Sequence, residues 1–387
     1  MSKCAKTIRG GKSLKRLTAF IMTSVIVFLI GGCSGKTEQL SDNSPVPYGG
    51  TAVSAVPDNR PWPVESWSES TPEAQGISSS ELEKSDGYIR ENYKSVSSLL
   101  VIRHGYLVYE KYYNGTEENT SEQVYSVTKS VMSALTGIAL QQKLIESVDQ
   151  SVAELVPDYF TEIDDTRKKN ITVKEVLTMT GGLQSIDNDY NGYFSSPDWL
   201  SQTLKMPLSD DPGTKFVYNT GLTQFLSNII TSQSGMNTEN FAQKYLFSEI
   251  GIQIGGWQQD QKGFYGGGYG ISMTPGDMAR FGYLYLNNGQ WNGKQILPES
   301  WIEESSKKQI QADNDTDYGY LFWLQTVHDS IKNVDYFTYR ADGAGGQKII
   351  IIPKLDMVAV ITADWDSNSK DDDTQNIIFN YVIPAVN

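Results

Sequence analysis

Cysteine is almost absent from the sequence: Cys4 and Cys33 are the only two among 387 residues. Cys4 lies in a segment that we predict to be removed, so the mature chain cannot form an intramolecular disulfide. Hydrophobic residues make up 39% of the chain, enough for a substantial core in one elaborated domain or two interleaved ones. Stability must therefore come from packing rather than from covalent cross-links.

Histidine is equally scarce, since only His104 and His328 occur and both are in predicted turns, where a solvated polar side chain is expected. A Ser-His-Asp triad on an α/β-hydrolase fold needs a G-x-S-x-G turn, and the sequence has none. A catalytic zinc ion needs about three protein ligands at motif spacing. The chain has neither H-E-x-x-H nor a cysteine pair. We therefore predict no metal and no other cofactor.

Acidic residues are absent from the first 32 residues, which hold six lysines and arginines and then the apolar run LTAFIMTSVIVFLI. That run is shorter than a comfortable membrane span and leads into LIGGC. Residues 1–32 therefore resemble a bacterial lipoprotein signal, cleaved before Cys33 with lipid attached to its sulfur. An uncleaved N-terminal anchor is the alternative. Both interpretations place the rest of the chain outside the cytoplasm.

The charge balance of the remaining chain is strongly acidic. Loss of the six basic residues takes the formal net charge from −14 to −20, and such a surface is a poor partner for nucleic acid. Residues 33–67 are rich in Ser, Pro and Gly with little periodicity, which predicts a tether between lipid and domain. The domain itself is predicted at 68–387.

Periodicity predicts a mixed fold in the domain. SSSELEKSDGYIREN begins with serine caps and a Ser80–Glu83 capping-box spacing, typical of a helix start. VSSLLVIRHGYLVYEKYYNG predicts a β-hairpin that turns at His104-Gly105. MTPGDMARFGYLYLNNG predicts a helix capped by Thr274, and we interpret Asp277 as its structural capping acid.

The C-terminal part predicts further strands and a last helix. DYGYLFWLQTV is predicted to be one strand, and QKIIIIPKLDMVAVITADW a hairpin bent at Pro353-Lys354. TQNIIFNYVIPAVN is apolar enough to pack as a helix on the sheet. From about 145 to 260, helical patterns mix with loops. The predicted fold is α/β (α+β): an antiparallel sheet flanked by helices, with an inserted, mostly helical subdomain.

The motif Ser-x-x-Lys occurs three times, at Ser126–Lys129, Ser305–Lys308 and Ser367–Lys370. The second and third lie in polar or acidic segments and are predicted to be solvated. Only the first opens an apolar helix, where free N–H groups and the helix dipole favour negative charge on the serine. Desolvation would lower the pKa of Lys129 and let it take the serine proton. A capping serine beside a snorkelling lysine fits this motif alone equally well.

Two further stretches have the features of an active site. DPGTKFVYNTGLTQFLSNII places Tyr218 after a Pro-Gly turn and before a helix, and YRADGAGGQKIIIIP places a glycine-rich bend before a buried strand. In order and spacing, the three elements resemble those of the penicillin-recognising serine hydrolases. This superfamily includes class C β-lactamases, DD-peptidases, related esterases and 6-aminohexanoate-dimer hydrolase. The resemblance extends from about Ser78 to Val386 and includes VLTMTGGLQ, GGGYGISMTPGDMARFGYLYLNNGQWNGKQILPESW and IIPKLDMVAVIT.

The resemblance implies a role for each matching residue. Ser126 would be the acylated nucleophile and Lys129 its base. Tyr218 would pass a proton to the leaving group and later activate water. The N–H groups of Ser126 and Ala344 would form the oxyanion hole, where glycine neighbours let the backbone approach a substrate closely.

Gly345, Gly346 and Asn219 are further substrate-binding candidates, but the sequence departs from the family pattern at two motifs. The usual Tyr-x-Asn is Tyr218-Asn219-Thr220 here, which displaces the asparagine by one position. The usual Lys-Thr-Gly or His-x-Gly is Gly343-Ala344-Gly345, which lacks the cation and hydroxyl that would hold a β-lactam carboxylate. This pattern is closer to the branch of esterases and 6-aminohexanoate-dimer hydrolase. The aromatic-rich DNDYNGYFSSPDW is a candidate wall of the cleft, or ordinary packing.

The sequence thus predicts an extracytoplasmic serine hydrolase that cleaves small-molecule esters or amides through an acyl-enzyme and is held at the membrane by lipid on Cys33. A β-lactamase or DD-peptidase acting on β-lactams or cell-wall peptides is the alternative within the family. A non-catalytic cell-surface binding module of the same fold is the alternative from another class. Such a module would need none of Ser126, Lys129 and Tyr218.

Overall fold

The computed structural model describes residues 60–365 and 373–387. The predicted signal at 1–32, Cys33, the predicted tether up to residue 59 and the pair Ser367–Lys370 lie outside these residues. Among the described residues, no helix is both long enough and apolar enough to cross a membrane.

Fourteen strands are found in the described part of the chain, most of them in one large sheet. The strands are β1 (Ser68–Glu69), β2 (Val96–Arg103), β3 (Tyr106–Tyr112), β4 (Glu122–Gln123), β5 (Gly256–Trp257), β6 (Ile271–Met273), β7 (Gln290–Trp291), β8 (Lys294–Gln295), β9 (Ile310–Gln311), β10 (Asp317–Tyr318), β11 (Trp323–Asp329), β12 (Val334–Gly343), β13 (Gln347–Ile352) and β14 (Met357–Ala363). The large sheet has the order β1-β3-β2-β14-β13-β12-β11-β10-β9. Every neighbouring pair in it is antiparallel except β1 with β3.

Helices cover both faces of this sheet. They are α1 (Ser79–Asn92), α2 (Val127–Gln141), α3 (Val152–Leu155), α4 (Thr166–Lys169), α5 (Val173–Leu177), α6 (Tyr190–Phe194), α7 (Trp199–Lys205), α8 (Gln224–Ser234), α9 (Thr238–Ala242), α10 (Ser248–Ile250), α11 (Pro275–Leu286), α12 (Glu299–Ser305), α13 (Gln375–Ile377) and α14 (Ile383–Ala385). Single π-helical turns, Gln243–Phe247 and Ile378–Val382, join α9 to α10 and α13 to α14.

Most buried apolar residues form two cores, one on each face of the large sheet, and the central strand β13 contributes to both. Ile349 and Ile351 pack into the core that contains α2 and α11, whereas Ile350 and Ile352 pack into the core that contains α1 and the C-terminal helix. Alternate side chains of a strand point to opposite faces, so a strand covered on both faces must be apolar throughout. This explains the four consecutive isoleucines at 349–352 of this strand, which is buried along its whole length.

The region predicted as a helical insertion contains α3 to α10 and no strand of the large sheet. Its apolar residues, such as Phe225 and Phe247, belong to the same core as Val131 on α2 and Phe281 on α11. The mixed architecture, with a largely antiparallel sheet between helices, agrees with the predicted fold class. The hairpins at His104-Gly105 and Pro353-Lys354 and the Thr274 cap also occur where they are predicted.

The predicted single strand DYGYLFWLQTV is wrong, because it forms two strands, β10 and β11, that pair with each other. The chain reverses between them, where Leu321 has a φ of 62° and Gly319 N–H donates to the Phe322 carbonyl. Tyr320 and Leu321 are nevertheless buried. The turn is therefore as apolar as a strand, and composition alone does not reveal it.

Strand β12 has no counterpart in the sequence prediction. Its Arg340 and Asp342 break the apolar pattern, yet Arg340 is buried and donates to Asp342, which also bonds Lys348 on β13. Asp342 and Lys348 face each other across the two strands. Opposite charges at a cross-strand position stabilise such a pair, and only the register reveals it.

Two boundaries also differ from those predicted. The N-cap of α1 is Ser78, whose hydroxyl accepts the Glu81 N–H, rather than Ser80. The segment from Arg60 to Trp67 falls within the predicted tether, but it packs on the domain: the Arg60 guanidinium is 2.7 Å from the Asp356 carboxylate. Indole rings of this segment pack against α11. The domain therefore begins before residue 68.

Candidate active site

The chain bends sharply just before α2 begins. Tyr125 has a φ of 46°, an uncommon conformation for a residue with a side chain. Val124 N–H bonds the Ile271 carbonyl, and its own carbonyl accepts the Val127 N–H. The bend is therefore held from both sides, and it places Ser126 at the N-cap position of α2.

Lys129 lies one helical turn after Ser126 and is 1% exposed. Its Nζ donates to Ser126 Oγ at 2.9 Å, to Thr220 Oγ1 at 3.0 Å and to the Gly268 carbonyl at 2.8 Å. Burial lowers the pKa of Lys129 to about 7, against a smaller opposing effect of Asp187. An amine with this pKa is substantially neutral at pH 7 and can accept a proton.

A run of three glycines brings the Gly268 carbonyl to Lys129. A Cβ on Gly267 would lie 2.1 Å from the Thr223 carbonyl oxygen, and one on Gly268 would lie 2.7 Å from that of Thr220. Contacts this short are not tolerated by real side chains, so only glycine fits at this approach. GGGYG is part of the family resemblance in the sequence, but the sequence alone predicts no place for it in the site.

The Tyr218 ring packs against the amine of Lys129. The Lys129 Nζ is 4.8 Å from the centre of its ring, and Trp323 stacks on the phenol at 5.7 Å between ring centres. Burial raises the pKa of Tyr218 well above its ordinary value, and Ser126, a hydrogen-bonding neighbour, acts in the opposite direction. The phenol is therefore neutral at physiological pH and able to donate a proton.

The glycine-rich bend after β12 lies against the same element that carries the nucleophile. A Cβ on Gly343 would lie 2.4 Å from the Val124 carbonyl oxygen. Gly345 has a φ of 77°, and a Cβ there would lie 2.6 Å from Trp365. Ala344 is between these two glycines, so its backbone is held next to the start of α2.

The structure thus brings together a serine and a desolvated lysine from the start of α2, a tyrosine and a glycine bend, from three separate segments. The sequence profile of the Beta-lactamase family matches residues 91–379, which include all four. The chain belongs to the Beta-lactamase family.

Known proteins with related sequences and folds agree with this family assignment. The 6-aminohexanoate-dimer hydrolase of Paenarthrobacter ureafaciens is 23% identical over 293 residues, which are 69% of this chain and 72% of that protein. The octameric penicillin-binding protein homologue of Pyrococcus abyssi is 18% identical with a TM-score of 0.62, covering 79% of this chain and 76% of that one. A class C β-lactamase variant is 17% identical with a TM-score of 0.61, covering 79% of this chain and 98% of that one. The fold is therefore that of β-lactamases and penicillin-binding proteins, and a hydrolase is supported.

The contacts of Asn219 and Thr220 explain why this chain departs from the Tyr-x-Asn motif. Asn219 is 1% exposed, and its Oδ1 accepts the N–H groups of Ile186 and Gly221. Its Nδ2 donates to the Gln184 carbonyl at 3.2 Å. Asn219 thus bonds backbone groups rather than facing the cleft. Thr220, the third residue of the motif, contacts Lys129 instead, and sequence reasoning missed it although it occupies the position of the usual asparagine.

Among the described residues, two cations on the strands beside the glycine bend share one carboxylate partner. Arg340 and Lys348 are 7% and 3% exposed in their side chains and both bond Asp342. Gly343 has no side chain and Ala344 only a methyl group. The bend therefore presents neither a free cation nor a hydroxyl of its own.

The aromatic segment DNDYNGYFSSPDW divides between packing and exposure. Tyr193 and Trp199 are buried. Tyr190 and Phe194 are exposed and stack at 5.6 Å between ring centres. The phenol of Tyr190 neighbours Thr220 and Asp187, which brings this exposed pair close to the lysine.

The remaining candidates lie away from this site. Ser305 is buried, not solvated as predicted, and its hydroxyl donates to the Ile302 carbonyl. Lys308 pairs with Asp317 at 2.8 Å. His104 is in the predicted turn, whereas His328 is within β11. In residues 60–365 and 373–387, no group of three or more acidic, His or Cys residues is placed to hold a metal ion.

Proposed function

We propose that the protein is a serine hydrolase that cleaves esters or amides through an acyl-enzyme on Ser126. One observation carries this proposal: the buried Lys129 has its Nζ 2.9 Å from Ser126 Oγ and a pKa lowered to about 7. A lysine that merely snorkels keeps its ammonium group in water. Lys129 instead has its amine enclosed by Ser126, Thr220 and Gly268.

The first step is acylation. Neutral Lys129 takes the proton of the Ser126 hydroxyl as Oγ forms a bond to the substrate carbonyl carbon. The carbonyl oxygen becomes an oxyanion that the N–H groups of Ser126 and Ala344 stabilise. The tetrahedral intermediate then collapses, its bond to the leaving group breaks, and that group receives a proton from the Tyr218 hydroxyl. The lysine proton restores the tyrosine.

The second step, deacylation, reverses the proton transfers with water as the nucleophile. Water gives a proton to the Tyr218–Lys129 pair while its oxygen attacks the acyl carbon. Collapse of this intermediate returns Oγ as the leaving group, and the proton goes back to Ser126. The position of Tyr218, between Lys129 and the stacked Trp323, supports this role.

An esterase or amidase is favoured over a β-lactamase because the bend offers no group for a substrate carboxylate. Gly343 and Ala344 have no donor side chains, and both nearby cations bond Asp342. A binding module is disfavoured because burial of a lysine amine costs free energy that ligand binding does not require.

The proposal is tested by hydrolysis of p-nitrophenyl acetate. Ser126→Ala should abolish turnover, whereas the matched control Ser305→Ala, which changes the serine of another Ser-x-x-Lys motif, should not. Equal activity of Ser126→Ala and wild type would contradict the proposal.

We also propose that the enzyme acts outside the cytoplasm, attached to a membrane by lipid on Cys33. The support is the basic and apolar segment that precedes LIGGC. The full chain should partition with membranes, and Cys33→Ser should release it. Unchanged partitioning of the Cys33→Ser variant would favour an uncleaved N-terminal anchor instead.

A further inference from the structure

The acyl-transfer step creates a buried charge that needs a counterion. When Lys129 takes the serine proton, it becomes an ammonium group in a site that is 1% exposed. Its three hydrogen-bond acceptors, on Ser126, Thr220 and Gly268, are all neutral groups. A desolvated cation without a carboxylate partner is costly.

The carboxylate that acts on this amine is Asp187, in the loop before α6. It is joined to Lys129 through one residue. Asp187 Oδ2 accepts the Thr220 N–H at 3.0 Å, and the Thr220 hydroxyl accepts from Lys129 at 3.0 Å. The Asp187 carboxylate therefore fixes the backbone of Thr220, and the Thr220 side chain in turn bonds Lys129.

The loop that carries Asp187 is itself fastened to the Tyr218 segment. Ser185 caps a short helical turn by accepting the Asp187 N–H, and it donates its hydroxyl to Asp187 Oδ2 at 3.0 Å. Asn219 bonds the backbone of Gln184 and Ile186 in the same loop. These contacts hold the carboxylate in one place, as a group that stabilises transition-state charge requires.

We propose that Asp187 is a positioning residue for acylation: it holds Lys129 against Ser126 through Thr220, and its negative charge stabilises the ammonium group that Lys129 becomes. This inference rests on the proposed function of Ser126 and Lys129. The proposed role also explains the displaced Asn219, because its side chain bonds the loop that carries Asp187.

The other titratable groups around Lys129 do not compete with this role. Tyr218 faces the lysine from its own segment, and Tyr190 neighbours Asp187 from α6. Burial raises the pKa of both phenols, so both stay neutral while Lys129 titrates. Asp342 acts on Tyr218 from β12, but it is already paired with two cations.

The test is the titration of Lys129 followed by NMR of the full chain with ¹³C-labelled lysine. The Lys129 signal is assigned by its loss in Lys129→Met. Asp187→Asn keeps an oxygen for the Thr220 N–H but removes the charge. We expect its midpoint to fall by on the order of one pH unit, and the acid limb of kcat/KM to move with it.

Asp189→Asn is the matched control, because it makes the same charge change in the same loop at an exposed residue that caps α6. Its midpoint should equal that of wild type. If Asp187→Asn does not fold, Asp187→Ser makes the same charge change and the same shift is expected. An unchanged midpoint at position 187, or equal shifts at 187 and 189, would overturn the inference. Since NMR needs no turnover, ester hydrolysis tests the proposed function separately.

Discussion

The Nζ of Lys129 and the Oγ of Ser126 are 2.9 Å apart at the start of a buried helix. Lysine within hydrogen-bonding distance of a serine is useful for catalysis only while it is neutral. Desolvation supplies that state here, because it lowers the lysine pKa to about 7. The consequences concern protons, stability and substrate choice.

The rate should depend on the protonation of Lys129. Since the base is neutral above its pKa, kcat/KM should rise with pH through about 7 and then level off. At one pH unit below the midpoint, the rate should be about tenfold below the plateau. Lys129→Met should lose on the order of 10²-fold or more in kcat. A flat profile from about pH 5 to 9 in initial rates of ester hydrolysis is not compatible with this role.

Tyr218→Phe tests the proton shuttle in the same assay. The ring that contacts Lys129 and Trp323 is retained, and only the hydroxyl is lost. Because the leaving group then lacks its acid, kcat should fall by about 10²-fold or more. Substrates with good leaving groups need less protonation, so p-nitrophenyl esters should lose less than alkyl esters. Wild-type turnover of both ester classes by Tyr218→Phe would remove the tyrosine from the mechanism.

Thr220 should matter through its hydroxyl. Thr220→Val keeps the shape of the side chain but removes the acceptor for Lys129, whereas Thr220→Ser keeps it. A hydrogen bond to a charged group is worth about 1.5–3 kcal/mol, so Thr220→Val should lower kcat about tenfold or more. Thr220→Ser should remain close to wild type. Equal losses in the two variants would show that packing, not the hydroxyl, is responsible.

Burial of Lys129 should lower the free energy of unfolding of the protein. A pKa lowered from 10.5 to about 7 means that folding must remove a proton from a group that is charged in the unfolded chain. At pH 7 this costs about 4 kcal/mol. Lys129→Met should therefore raise the free energy of unfolding at pH 7, by less than that amount because three polar groups lose their hydrogen-bond partner.

The difference in unfolding free energy between Lys129→Met and wild type should depend on pH, and this dependence gives a sharper test. The penalty is complete below the folded-state pKa and disappears as the pH approaches 10.5, so the advantage of Lys129→Met should shrink as the pH rises above about 7. Urea denaturation of both proteins from about pH 6 to 9 measures it. A difference that does not change with pH would mean that Lys129 is charged in the folded protein.

Substrate preference should follow from Gly343 and Ala344, which have no side-chain group that can bind a substrate carboxylate. A charged hydrogen bond contributes roughly 1.5–3 kcal/mol, which is about tenfold to a hundredfold in kcat/KM. Short p-nitrophenyl esters should therefore be better substrates than nitrocefin by at least this margin, with Ser126→Ala as the blank. A preference for nitrocefin would require a cation other than the paired Arg340 and Lys348, and the esterase assignment would be wrong.

Much of the scaffold follows from local pattern. The apolar helix after Ser126 and the hairpins that turn at His104-Gly105 and Pro353-Lys354 are properties of neighbouring residues, so the sequence alone predicts them. Strand β12 is different, because its buried Arg340 and half-buried Asp342 are tolerated only through partners that include Gln325 on β11 and Lys348 on β13. Pairing across strands is a tertiary property that a one-dimensional pattern does not contain.

The same distinction applies to the site. Ser126 and Lys129 are one turn apart, so their pairing can be predicted from spacing. Thr220 and Gly268 are 91 and 139 residues from Lys129 in the chain, and only the packed glycines bring them to it. Asn219 shows the converse, since a residue expected at the substrate instead bonds the backbone of a neighbouring loop.

Covalent labelling tests the central claim most directly. An activated fluorophosphonate should add one label to the protein by intact mass, and peptide mapping should place that label on Ser126. Ser126→Ala should take no label, Lys129→Met should react at least about 10²-fold more slowly, and the control Ser305→Ala should react like wild type. A label on Ser305 or on any other serine, or no label at all, would contradict the account of Ser126 as the nucleophile.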